Sequence, residues 1–221
     1  MKKGIFLFGA LALFVGSCIK HEVIPAPEPV VELDCYFEGT IGGAYIEYTQ
    51  NVTGYAPFPS IAKQTQFGVT NAQYLFAIQS SQVIPKVQIS LGSLSWNDPT
   101  GIETPALSLF NTFFTSNDNP NYSNAAINGF EFAYTDNWGD TWRSYKDSIP
   151  QNVSFVPSSI IQESDESGDY SKFIVNFECP IYHIYSVPDI TVIPQTNPLT
   201  MRDSVAKMVV TNATMRGYFK R

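Results

Sequence analysis

A chain of 221 residues that is 44% apolar and 14% aromatic holds ample material for one folded body, which excludes disorder along its whole length. Charged residues make up only 15%, too few for a coiled coil or a long solvent-exposed helix. The formal net charge is −7 and no basic run occurs, so nothing favours a nucleic-acid partner.

Residues 1–17 have the form of a secretory signal peptide. Lys2 and Lys3 give a positive start, and the apolar run from Ile5 to Val15 follows. That run falls short of the roughly 20 residues that span a bilayer. Gly16 and Ser17 then precede Cys18, and "FVGSC" matches a bacterial lipobox. Cys18 is therefore the expected lipidation site and the first residue of the mature chain. The alternative is an ordinary signal peptide that contains a cysteine. Acyl chains contribute about 0.8 kcal/mol per buried methylene, so two or three of them hold a protein at a membrane. Cleavage removes Lys2 and Lys3 and moves the net charge two units further negative. Such a body has no electrostatic attraction to anionic lipid, which leaves the anchor as its membrane partner.

Residues 18–30 read as a tether. Pro25, Pro27 and Pro29 stand at alternate positions and favour an extended chain without internal hydrogen bonds. Ile19 follows Cys18 where an aspartate would signal retention at the inner membrane. The expected address is the outer membrane of a cell envelope, with the periplasmic and external faces both open.

Residues 31–221 read as one domain made of strands. Val31, Leu33, Cys35, Phe37 and Ile41 share one face, with Glu32, Asp34 and Glu38 on the other. Gly42-Gly43 signals a hairpin, and β-prone residues return from Ala44 to Gln50. Tyr74, Phe76 and Ile78 alternate with polar or small residues, as do Val87, Ile89 and Leu91. Thr104, Pro105, Leu107, Phe110 and Phe114 mark a short helix, with Thr104 as cap and Pro105 at its first position. Phe130, Phe132 and Tyr134 then alternate with an outward Glu131. The clearest alternation runs through Phe173, Val175, Phe177, Cys179 and Ile181. In the last strand Ala206, Met208 and Val210 share a face, and the phase then switches to Ala213, Met215 and Phe219. This predicts a β-bulge near Asn212. The expected fold is all-β: an antiparallel β-sandwich of about ten strands with one short helix.

Four segments carry a resemblance: "CYFEGTIGG", "GFEFAYTDNWGDTW", "YSKFIVNFECPIY" and "MVVTNATMRGYFKR". In this order the chain resembles a group of small Bacteroidota envelope lipoproteins of unknown function. The resemblance implies a β-sandwich on a lipid anchor and no catalytic residues. Ala213 replaces a glycine of that group's closing motif, and the stretch Ser186 to Thr200 between the last two strands is longer.

With Cys18 lipidated, Cys35 and Cys179 remain. An oxidising envelope and an even number favour a disulfide between them, against two buried free thiols. Asp165, Glu166 and Asp169 surround a glycine and form a weak calcium candidate, since their spacing departs from the calcium-loop pattern. Two histidines give little basis for zinc, and His183 reads as a lone residue at a strand end. No nucleophile elbow, zinc-protease, phosphate-loop or dinucleotide motif occurs, so no enzyme and no cofactor are expected. Trp138 at a turn tip and Trp96 in a polar stretch are the candidate ligand contacts. Aromatic faces stack on sugar rings while Asn, Gln and Asp bond the hydroxyl rim.

Three function classes follow. The first is a non-catalytic, lipid-anchored protein that binds a neutral ligand such as a glycan, or an envelope protein. The second is a structural, fimbrial or adhesin-like component that pairs through a strand edge. The third is a carboxylate-based hydrolase.

Overall fold

A computed structural model describes residues 30–116, 121–122, 129–144, 154–191 and 200–221. The leader, Cys18 and all of the tether except Val30 lie outside the described residues. No helix among the described residues is long and apolar enough to cross a membrane.

The chain folds as an antiparallel β-sandwich with one short helix. The strands are β1 (Tyr36–Ile41), β2 (Ala44–Thr49), β3 (Tyr55–Gln66), β4 (Val69–Ser80), β5 (Lys86–Asn97), β6 (Asn121–Tyr122), β7 (Gly129–Thr135), β8 (Thr141–Arg143), β9 (Ser154–Asp165), β10 (Gly168–Pro188) and β11 (Met201–Lys220). Helix α1 (Leu107–Ser116) lies between β5 and β6. The hydrogen-bonded order is β2-β1-β11-β10-β8-β7-β5-β4-β3, with β9 on β10 and β6 on β7. The single parallel pair among the described residues is the two-residue β6 beside β7.

The order turns between β10 and β8, so β2-β1-β11-β10 faces β7-β5-β4-β3. Alternate aromatic residues meet between the layers. Phe37 of β1 stacks on Phe132 of β7 at 5.7 Å. Phe76 of β4 meets Phe173 of β10 edge-on at 5.6 Å. Each fully buried ring of this kind stabilises by about 2–3 kcal/mol. Gly217 makes room for Phe76, and Gly39 faces Ala213 across the β1–β11 pair. Phe110, Phe113 and Phe114 of α1 cover one end of the core, with Phe114 stacked on Phe219 at 4.9 Å.

Several sequence expectations change in detail. Residues 31–35 keep the alternating exposure, but β1 begins only at Tyr36. The helix begins at Leu107, two residues after Pro105, and its first bond runs from Phe110 N–H to Ala106 O. Glu131 is buried, not outward, because Arg143 twelve residues on pairs with it. The bulge near Asn212 is present. Registers of β11 with β10 and with β1 both slip there, and Asn212 has φ of 51°.

The sheet margins differ. β3, at one end of the order, carries Pro57 and Pro59, yet it pairs with β4 without a register break. Its prolines therefore occupy positions that turn away from the ladder. β9 carries Pro157 at a register shift against β10. β2, at the other end, is six residues long.

Cys35 and Cys179 are both buried and unpaired, so the expected disulfide is not formed. Strand register explains why. Tyr36 lies opposite Arg216, which lies opposite Ile174 on β10, whereas Cys179 lies opposite Val210. Cys35 and Cys179 are thus separated by β11 and by six positions along the strands, roughly 20 Å. A disulfide needs α-carbons within about 7 Å. Burial, with a further contribution from Asp34, raises the Cys35 thiol to about 11. Burial also pushes Cys179 far up.

Candidate functional site

The β7–β8 hairpin carries the most exposed tryptophan of the chain. Trp138 is 89% exposed at its tip. Asp136 holds this turn in one shape. Its Oδ1 accepts from Trp138 N–H at 2.9 Å and from Asp140 N–H at 3.0 Å, an arrangement that aspartate side chains favour in turns. Its Oδ2 accepts from the Trp142 indole Nε1–H at 3.0 Å. Gly139, with φ of 88°, takes the left-handed position that closes the loop. Partial burial tends to raise the Asp136 carboxyl, but the bonds from Trp142, Trp138, Asp140 and Gly139 hold it below the usual carboxylate range.

β8 brings this hairpin against the middle of β10, where Arg143 pairs with Tyr182. The neighbouring His183 then faces Trp142, with ring centroids 5.3 Å apart. Tyr185 continues the row, nearly parallel to His183 at 6.0 Å. His183 Nδ1 lies 3.0 Å from the Thr141 carbonyl oxygen. A carbonyl only accepts, so Nδ1 carries the proton and Nε2 is left as the outward nitrogen. Nε2 lies 3.8 Å from Asp140 Oδ1.

The result is a partly solvent-facing aromatic row of Trp142, His183 and Tyr185. Trp138 stands at the tip of the same hairpin, beside the exposed Asn137 and Asp140. Such a surface offers flat apolar faces with hydrogen-bonding groups at the rim. His183 is therefore not alone at a strand end, and its partners lie about forty residues away in sequence. The continuation of the inward phase from Ile181 into His183 and Tyr185 was the readable signal, since polar aromatics there need a neighbour.

Trp96 does not join this surface. It is 8% exposed, with Lys63 Nζ 5.4 Å above its ring. Along β5, Trp96 lies opposite Thr70, whereas Lys86 at the other end lies opposite Thr135, just before the Trp138 turn. Ten residues of strand, roughly 33 Å, separate the two ends. Of the two candidate ligand contacts, Trp96 is thus buried and far from the exposed Trp138.

The acidic turn after β9 does not gather as a metal centre. Asp165 Oδ1 accepts from Ser167 and Gly168, and its Oδ2 accepts from Val31 N–H at 3.0 Å. Asp169 accepts from Ser164 and pairs with Arg221 at 2.6 Å, while Glu166 is exposed. Among the described residues, no group of three His, Cys, Asp or Glu side chains is placed to hold a metal ion. No known protein family, characterised protein or solved structure matches the chain.

Proposed function

We propose that the chain is a lipid-anchored envelope protein whose β-sandwich body binds a neutral, hydroxyl-rich ligand such as a glycan, without catalysis. The observation that carries the reading is Trp138, almost wholly exposed on a turn held rigid by Asp136. Exposing an indole costs solvation, and a rigid turn presents it with little further loss of entropy on binding. Trp142 of β8 with His183 and Tyr185 of β10 form an aromatic row on the same hairpin's side of the sheet. The lipobox before Cys18 and the proline tether support the anchored address. Asp136 has both oxygens engaged within its own hairpin, which assigns it to holding the turn.

One stacked aromatic contributes about 1 kcal/mol, so a shallow site of this kind binds at micromolar to millimolar levels. Retention on a glycan array tests the reading. The wild type is expected to be retained on at least one neutral glycan, and Trp138→Ala is expected to abolish retention with an unchanged melting temperature. A wild type that binds no glycan overturns it.

A further inference from the structure

The β10–β11 ribbon outgrows the sandwich. β1 pairs with β11 only as far as Val210, opposite Ile41, while β10 and β11 run on together to Pro188 and Met201. From Met201 to Met208, β11 has β10 on one side and, among the described residues, no strand on the other. Gly42 N–H donates to Val209 O at 3.0 Å, so the main-chain groups of Val209 point to that open side. Alternate residues of a strand point the same way. Lys207, Val205 and Asp203 therefore present their own N–H and C=O groups to the open edge. No proline interrupts residues 201–209. A row of this kind is a template for another strand.

The side chains of the same residues say which strand. Met201, Asp203, Val205, Lys207 and Val209 share the outer face, opposite to the inward Val210. Met201 is 52% exposed, Val205 38% and Val209 47%, and Asp203 and Lys207 are exposed as well. Read in order, the row is apolar, acidic, apolar, basic, apolar. Reversed, it is its own complement.

We propose that the open edge of β11 pairs with the same edge of a second copy of this chain, antiparallel about a twofold axis at Val205. Val205 then meets Val205 of the other copy and Asp203 meets Lys207 twice, and the pairing ends there because Gly42 of the same chain already sits opposite Val209. Val205 with Val205, and Asp203 with Lys207, fall at hydrogen-bonded positions, which gives about six main-chain bonds. The charges fix the register. A slip of two residues leaves both charges opposite apolar side chains, and a slip of four sets like charge against like. Among the described residues Asp203 receives a 3.4 Å contact from Ser186, and Lys207 lies 6.0 Å from the Tyr182 ring. Both contacts keep these side chains on the outer face. The contact is small beside a standard interface of about 1,600 Å², so the pair is weak and depends on concentration.

The full chain in detergent is examined by sedimentation velocity, together with Lys207→Asp, Asp203→Lys and the double exchange. The wild type is expected to dimerise. Each single reversal is expected to raise the dissociation constant about tenfold or more, and the double exchange is expected to restore it. Val205→Cys under mild oxidation is expected to give a disulfide-linked dimer, with Cys35 and Cys179 too buried to contribute. A wild type monomeric at several hundred micromolar overturns the proposal. So does a dimer indifferent to both reversals, or a Val205→Cys chain that forms no link.

Discussion

Phe76 fills the space a side chain on Gly217 would need: a β-carbon there would lie 2.6 Å from the Phe76 Cδ1 and 2.7 Å from its Cζ. Gly217 sits on β11 opposite Phe173, whose ring meets Phe76 edge-on, and Tyr218 packs beside the same phenyl group at 5.3 Å. Gly217→Ala is expected to lower stability by about 1–3 kcal/mol through overpacking. Gly43→Ala is the control. Nothing lies within 4 Å of a β-carbon at Gly43, but its φ of 87° restricts the cost to backbone strain of about 1 kcal/mol. Denaturant midpoints compare the two.

The thiols of Cys35 and Cys179 are expected to be free and hidden. In the native chain burial keeps both protonated, with Cys35 raised to about 11, so alkylation near pH 8 is slow. After denaturation without reductant, mass spectrometry is expected to find both labelled. A Cys35–Cys179 peptide pair resistant to labelling would contradict the strand register.

Acid is expected to destabilise the fold through its turn carboxylates. Val31 N–H and the Ser167 hydroxyl lower Asp165, and Ser164 and Arg221 lower Asp169 against its burial. Asp136 is lowered, against its burial, by Trp142 and the turn amides. Each folded value lies below the unfolded one, so the unfolded state binds more protons as pH falls. The stabilisation is complete above about pH 4 and is lost as pH drops through the lower folded values. Melting temperatures from pH 7 to pH 2 are expected to fall most steeply below pH 4. Asp136→Asn is expected to flatten part of that slope.

Trp138 and Trp142 are expected to separate in stability. Trp138→Ala removes an exposed ring and is expected to change stability by less than about 0.5 kcal/mol. Trp142→Phe keeps an aromatic ring but loses the indole bond to Asp136 Oδ2, an expected cost of about 1 kcal/mol. Equal effects from the two substitutions would mean that Asp136 does not hold the turn through Trp142.

The strand from Phe173 to Ile181 was legible because it buries one face and leaves the other half-buried or exposed, and that from Tyr74 to Ile78 because its large residues alternate with Leu75 and the small Ala77, patterns that period-2 reading records directly. The bulge at Asn212 was legible for the same reason, as a break in that period. Glu131 was misread because a charge in an alternating run reads as outward, and its partner Arg143 lies on another strand. Trp96 was misread because "SLSWNDPT" looks like a loop, whereas Lys63 from β3 covers the ring. An even number of cysteines carries no register information, so their separation by β11 was invisible. The meeting of Trp142 with His183 depends on β8 lying beside β10, a neighbour relation between distant segments that local periodicity does not encode.

The prolines of β3 set a limit on growth. A subunit that polymerises by strand addition needs two compatible margins, one to receive and one to be received. Here Pro57 and Pro59 withdraw two donors from one margin, Pro157 interrupts β9, and β2 offers only six residues. The open stretch of β11 carries no proline and charges that complement its own reverse, and a margin that meets its own twin closes on itself. Assembly of this chain is therefore expected to stop at a pair, with fibres denied a second place to continue.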